Sequence, residues 1–120
     1  MKVLVTGAAG FIGSWLCEQL KKLGHHVSAV DYNLKGIPHS FFDECDMGFD
    51  LRDTEKVMKL IEYETPDVIY HLAAYAAEGQ SVFSPIAIND INITSMNNLL
   101  VAAVNNGVKR FVFTSSMAVY

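Results

Sequence analysis

The strongest chemical signal in the 120-residue sequence is Thr6-Gly7-Ala8-Ala9-Gly10-Phe11-Ile12-Gly13. Glycines at this spacing do three different jobs. Gly7 permits a tight turn, Gly10 lets backbone approach a pyrophosphate with no Cβ in the way, and Gly13 lets a following helix pack close to a sheet. A helix opening at Phe11 and Ile12 would complete the cradle with N–H groups it does not use internally and with the positive end of its dipole. Asp31 lies 18 positions after Gly13 (31 − 13), close to the roughly 20 expected of an acid that binds a ribose. A carboxylate there accepts from both ribose hydroxyls and repels a 2′-phosphate, so NAD is expected in preference to NADP. No Gly-Lys-Ser/Thr follows the glycines, which rules out a P-loop. The competing reading is an ordinary glycine-rich turn with Asp31 as a plain turn residue. A strand before the turn, a helix after it and an acid closing the second strand argue against that.

Positioning these residues takes a strand, a tight turn and a helix, and the sequence supplies them in alternation. Short apolar runs alternate with segments of helical period, the rhythm of βαβ units over a parallel sheet. Val3 to Thr6 reads as a first strand. A helix follows from about Phe11 to Leu23, with Ile12, Leu16, Leu20 and Leu23 on one face and Gly24 as its stop. Val27 to Asp31 is a second strand, and a short third is expected near Met47 to Phe49. Asp53 can cap a helix to about Glu64 that faces Val57, Leu60 and Ile61 inward, with Pro66 excluding its continuation. Val68 to His71 is a fourth strand. A single helix from about Pro85 to Asn106 carries Ile88, Ile91, Met96, Leu99, Ala103 and Val104 inward, and Phe111 to Thr114 is a fifth strand. Right-handed crossovers give an α/β, Rossmann-type doubly wound parallel sheet of order 3-2-1-4-5, truncated after the fifth strand. The chain therefore reads as the N-terminal part of such a domain. It is expected to be inactive by itself and to associate through bare faces of strands four and five.

Composition narrows the function. At 51% hydrophobic and 18% charged, the chain can bury a core and is not disordered. A net charge of −4 argues against nucleic-acid binding. Cys17 and Cys45 are too few for a disulfide framework and have no His at zinc-like spacing, so no metal is expected. No run approaches the roughly 18 apolar residues of a membrane span, and a cytoplasmic setting is the default. His25 and His26 are expected at the surface. Trp15 and the Phe41-Phe42 pair fit core or loop packing better than a ligand box.

The Gly7-Gly10-Gly13 spacing resembles the extended short-chain dehydrogenase/reductase family, the NAD-dependent epimerase/dehydratase group, and further matches cover almost the whole chain. Asp50-Leu51 stands where the family has an Asp-aliphatic pair, implying that Asp50 meets the adenine amino group and Leu51 its ring. His71-Leu72-Ala73-Ala74 is similar to the strand-four segment, in which small residues let the cofactor lie against backbone, with His71 packing nearby. Asn92 opens a segment similar to Asn-x-x-Gly-Thr-x-Asn-Leu-Leu, in which the Asn bonds backbone near the cofactor. Asn98, Leu99 and Leu100 match, while Ser95 and Met96 replace Gly and Thr.

Thr114 to Tyr120 resembles the strand-five motif. By that match Ser116 is the catalytic hydroxyl, Thr114 and Ser115 are cofactor-side neighbours, and Tyr120 packs. Dehydratases of the family follow the catalytic residue with Asp-Glu. Met117-Ala118 stand here and cannot move protons, which disfavours dehydration. The family's Tyr-x-x-x-Lys pair lies further downstream, and no Tyr here stands four before a Lys. The segment from Tyr75 to Ser84 matches one that runs past the sugar nucleotide, with Ser81 as the candidate substrate contact. The resemblance implies a nucleotide-sugar epimerase acting on UDP-sugars by hydride transfer to and from NAD through a keto-sugar, and a homodimer for the whole protein. A net-redox reductase or dehydrogenase of the same family, or a non-catalytic dinucleotide sensor, stands as the alternative.

Overall fold

A computed structural model describes residues 1–32, 45–76 and 82–116. Its central strand, β1 (Lys2–Thr6), is apolar at consecutive positions because both of its faces are covered. Val3 and Val5 pack with Ala8, Cys17, Leu20 and Ala29 on one side. Leu4 points the other way, into a cluster with Ile69, Val57, Ile61 and Leu99. Helix α1 (Phe11–Lys22) covers the first face and leads to β2 (His26–Asp31). The two-residue β3 (Asp46–Met47) pairs beside β2, with Val30 opposite Asp46. Gly48, at φ +80°, then turns the chain away. Helix α2 (Thr54–Glu64) crosses the second face to β4 (Val68–His71). Two helices, α3 (Pro85–Asn89) and α4 (Ser95–Asn105), precede β5 (Arg110–Phe113). The five strands pair in parallel in the order β3-β2-β1-β4-β5, the order expected from sequence.

This order has a functional consequence. The chain leaves β1 toward β2 on one side and later returns to place β4 on the other, so crossovers diverge between the carboxyl ends of β1 and β4. Open parallel sheets form their ligand crevice at such a point.

Three expectations about packing are corrected. The buried face of α1 is Gly13, Ser14, Cys17 and Leu20, whereas Ile12 and Leu23 are exposed, at 62% and 74%. Gly13 is pressed against the turn before it, and that close approach sets the rotation of the helix. Cys17 and Leu20 then face inward because they stand four and seven residues further on. Trp15 also lies outside the core, 61% exposed.

The expected helix from Pro85 to Asn106 is interrupted by a π-helical turn at Asp90–Thr94. The wider turn changes the angular phase, so the inward stripe beyond it is Ser95, Asn98, Leu99, Ala102 and Ala103. Val104 is left 79% exposed. The third correction concerns bare strands. It applies to β4 alone: Val68, Ile69 and His71 are buried, Ile69 in the cluster with Leu99, Ala102 and Ala103 of α4, whereas Val112 and Phe113 of β5 are exposed as expected.

Helix α2 follows expectation. Val57 and Ile61 are fully buried and Leu60 half-buried. The Asp53 side chain caps it, accepting from the Lys56 N–H at 3.1 Å. Thr65, in the left-handed region at φ 45°, ends it just before Pro66. Asp53→Ala should therefore destabilise the protein by about 1 kcal/mol. A thermal melt checks this, with a Tm lowered by a few degrees expected and an unchanged Tm ruling out the cap.

Candidate functional site

At the end of β1 the backbone turns at Gly7 with φ +70°, a conformation that L side chains rarely adopt. Space excludes a side chain there too, since a Cβ on Gly7 would lie 2.6 Å from the Ala73 nitrogen. A Cβ on Gly13 would lie 2.1 Å from the Gly7 carbonyl oxygen, so this glycine serves the turn itself more than the sheet. Gly10 donates to the Gly7 carbonyl and accepts from the Ser14 N–H, joining the turn to the first turn of α1. That first turn contains no acidic residue, so nothing in it competes with an anion for its amides.

The turn opens onto a cleft of about 590 Å³ at the carboxyl ends of the strands, within the size range of small-molecule sites. Gly7 and Gly10 border it on one side, and Asp31 closes β2 beside them. One Asp31 carboxylate oxygen accepts from the Ala9 N–H at 2.9 Å, which fixes the acid against the glycine turn. Asp50 and Leu51, leading into α2, line another side, and Leu72, Ala73 and Ala74, leaving β4, line the floor. Eight residues singled out from sequence are thus brought to one cleft.

The other candidates stand around it. Phe11 and Ile12 sit in the first turn of α1 with exposed side chains and do not line the cleft. Gly13 is buried under the turn. Asn92 uses its side-chain amide as a clamp, accepting from the Tyr75 N–H at 2.8 Å and donating to the Tyr75 carbonyl at 3.3 Å. It thereby holds the chain leaving β4. Thr114, Ser115 and Ser116 follow β5 at the same end of the sheet with exposed side chains and do not line the cleft. Ser81, Phe41, Phe42, Met117, Ala118 and Tyr120 lie outside the described residues.

Several residues that sequence reasoning passed over hold the site together. Arg52 pairs with Asp50 at 2.9 Å and with Asp90 of the π-helical turn at 3.2 Å, and its guanidinium lies 5.9 Å from the centre of the Tyr32 ring. Its hydrogen bonds hold the Asp50 carboxyl below the usual carboxylate range, against the opposing effect of partial burial. Asn98 donates from α4 to the Leu51 carbonyl at 2.9 Å and accepts from the Thr54 hydroxyl. An arginine two residues after an acid was visible in the sequence, but its reach to Asp90 depends on the fold.

Beneath the floor, Thr6 Oγ1 and His71 Nδ1 lie 2.7 Å apart and buried. The same Oγ1 accepts from the Ala73 N–H at 3.4 Å. The Thr6 hydroxyl thus ties the His71 ring to the Ala73 amide in one buried network. Burial pushes the His71 pKa down to about 4 from 6.5, so the ring is a neutral structural group and cannot serve as a base near pH 7. Burial likewise pushes the thiols of Cys17 and Cys45 up, to about 11 and about 12, leaving both unreactive. Among the described residues no cluster of three His, Cys, Asp or Glu side chains could hold a metal, and no helix is long and apolar enough to cross a membrane. A more open depression of about 480 Å³ lies at the opposite ends of the strands, around Lys2, His26 and Asp67. It has neither the glycine turn nor the amides of α1, so the chemistry belongs to the cleft.

Thr6→Val should destabilise the protein by roughly 1–3 kcal/mol, because it leaves His71 Nδ1 and the Ala73 N–H unpaired in the interior. Denaturant titration checks this. Stability should also fall as pH drops from 6.5 toward 4. The unfolded chain protonates His71 near its ordinary value, while the folded chain resists until about 4. An NMR titration of the His71 ring with its midpoint near 6.5 would overturn that account.

The profile of the NAD dependent epimerase/dehydratase family matches residues 3–120. A UDP-glucose 4-epimerase of Lactobacillus helveticus is 39% identical over 125 residues, which takes in all of this chain and 37% of that protein. The UDP-glucose 4-epimerase of Thermus thermophilus, solved as a complex with NAD, superposes with a TM-score of 0.87 at 36% identity, over 97% of this chain and 38% of that one. The Thermotoga maritima enzyme, solved with UDP-glucose, gives 0.89 at 32% identity, over 97% and 38%. The chain thus spans well under half the length of these relatives, and over that span sequence, strand order and glycine turn agree: it belongs to the NAD dependent epimerase/dehydratase family.

Proposed function

We propose that these residues form the NAD-binding part of a nucleotide-sugar epimerase. One observation carries the reading. The Gly7-Gly10 turn, which leads into α1, and the anchored Asp31 line one cleft at the point where the crossovers diverge. Side chains at Gly7 or Gly13 would collide with neighbouring backbone, so the turn keeps its compact shape at the cleft only with glycine at both positions. On this reading the turn and the first turn of α1 bind the diphosphate, and Asp31 binds the adenosine ribose and repels a 2′-phosphate. Leu51 packs on the adenine and Asp50 stands at its amino edge. Ala73 and Ala74 let the other half of the dinucleotide approach the backbone.

NAD, when bound, would accept a hydride from the sugar and return it. Ser116, just beyond β5 at the cleft's end of the sheet, would hydrogen-bond the reacting sugar oxygen and stabilise the charge developing there. A UDP-sugar is the substrate class, supported by the Thermotoga maritima relative solved with UDP-glucose. The proton-transfer pair, the sugar-binding residues and a homodimer interface belong, on this proposal, to parts of the whole protein that these 120 residues do not include.

Calorimetry on the intact protein should show NAD binding well ahead of NADP, and Asp31→Asn should narrow that preference by about tenfold or more. Equal affinity for both cofactors in the parent would refute the role of Asp31. Ser116→Ala should lower turnover by about 10²-fold or more with NAD affinity unchanged. Unchanged turnover would remove Ser116 from the mechanism, and steady accumulation of NADH would point to net oxidation in place of epimerisation.

A further inference from the structure

Ser95 is the first residue of α4, directly after the π-helical turn at Asp90–Thr94, and it is 5% exposed. A serine inside a helix commonly satisfies its hydroxyl on the carbonyl three or four residues back. Here the π turn intervenes, and the hydroxyl has no hydrogen-bond partner among the described residues. Yet no fully enclosed side-chain oxygen or nitrogen lacks a partner among them. The Ser95 oxygen must therefore retain a little accessible surface, and the surface this residue borders is the cleft. A polar group more than nine-tenths buried, unpaired within the protein and opening into a binding cleft is poised for a ligand.

Its place in the cleft selects the part of the ligand. One helical turn further along α4, Asn98 holds the Leu51 carbonyl. Ser95 and Ile91 line the cleft that Leu51 also lines. The diphosphate end, on the same reading, belongs to Gly7 and Gly10 at the turn into α1. We infer that the Ser95 hydroxyl hydrogen-bonds the purine end of the bound dinucleotide and is a determinant of affinity for its adenosine half. This rests on the dinucleotide reading of the cleft. A hydroxyl both donates and accepts, so it can serve a ring nitrogen or an exocyclic amino group of the base. Glycine, which the sequence resemblance places here, offers neither.

The test uses the intact protein and Ser95→Ala, with calorimetric affinities for NAD, ADP-ribose and nicotinamide mononucleotide and the ligand-free Tm. The expected result is about tenfold weaker binding of NAD and ADP-ribose, unchanged binding of nicotinamide mononucleotide, and an unchanged or slightly higher Tm, because the hydroxyl has no partner to lose. Unaltered NAD affinity in Ser95→Ala would overturn the assignment while leaving the dinucleotide reading intact. So would a loss shared equally by nicotinamide mononucleotide, or a Tm several degrees lower, which would mark the hydroxyl as structural. A parent protein that binds neither NAD nor ADP-ribose would refute the dinucleotide reading and this assignment with it.

Discussion

The turn after β1 packs directly against the chain leaving β4, and the site is built around that contact. Gly7 lies so near Leu72 and Ala73 that not even a methyl group fits between them, and Gly13 is equally tight against Gly7. Under that contact the Thr6 hydroxyl joins His71 and the Ala73 amide in a buried network. The contact brings the start of α1 to the carboxyl end of the sheet, beside the chain leaving β4. It also turns α1 so that Cys17 and Leu20, and not Ile12 and Leu23, meet the core. Hydrophobic burial would have favoured the bulkier stripe. A steric limit set by backbone atoms cannot relax, so it takes precedence.

Around this fixed corner the site is assembled by polar side chains whose work is mostly on backbone. Asp31 holds the Ala9 amide, Asn98 the Leu51 carbonyl and Asn92 both polar groups of Tyr75. Each ties one cleft-forming segment to a neighbouring element, which reduces the ordering cost a flexible ligand imposes on its site. Arg52 adds an electrostatic tie from the approach to α2 across to the π-helical turn. Its partners are a third to a half exposed, so its contribution is better read as positional than as a large stabilisation.

Legibility from the sequence was uneven, and the unevenness has a cause. The glycine spacing, Asp31, the Asp53 cap and the stop at Pro66 are local signals, because steric and hydrogen-bonding demands of neighbouring residues act within a few positions. Strand order followed from handed crossovers. The corrections at Ile12, Leu23, Trp15 and Val104 arose where a contact distant in the chain set the rotation of a helix. The π-helical turn belongs with them, since a regular period fitted the residues from Pro85 to Asn106 until the turn shifted its phase. Arg52 and Ser95 were passed over because neither pattern nor propensity distinguishes them from solvated residues.

By itself the sequence determined the glycine turn, the acid that follows it and the order in which the strands lie, since those depend on residue type and spacing. Only the tertiary structure decided that Asp31 is fastened to Ala9, that Arg52 bridges Asp50 and Asp90, and that Ser95 reaches the cleft with its hydroxyl unpaired. Those facts depend on distances between segments far apart in the chain. Such distances are set by backbone packing in three dimensions, and no local spacing encodes them.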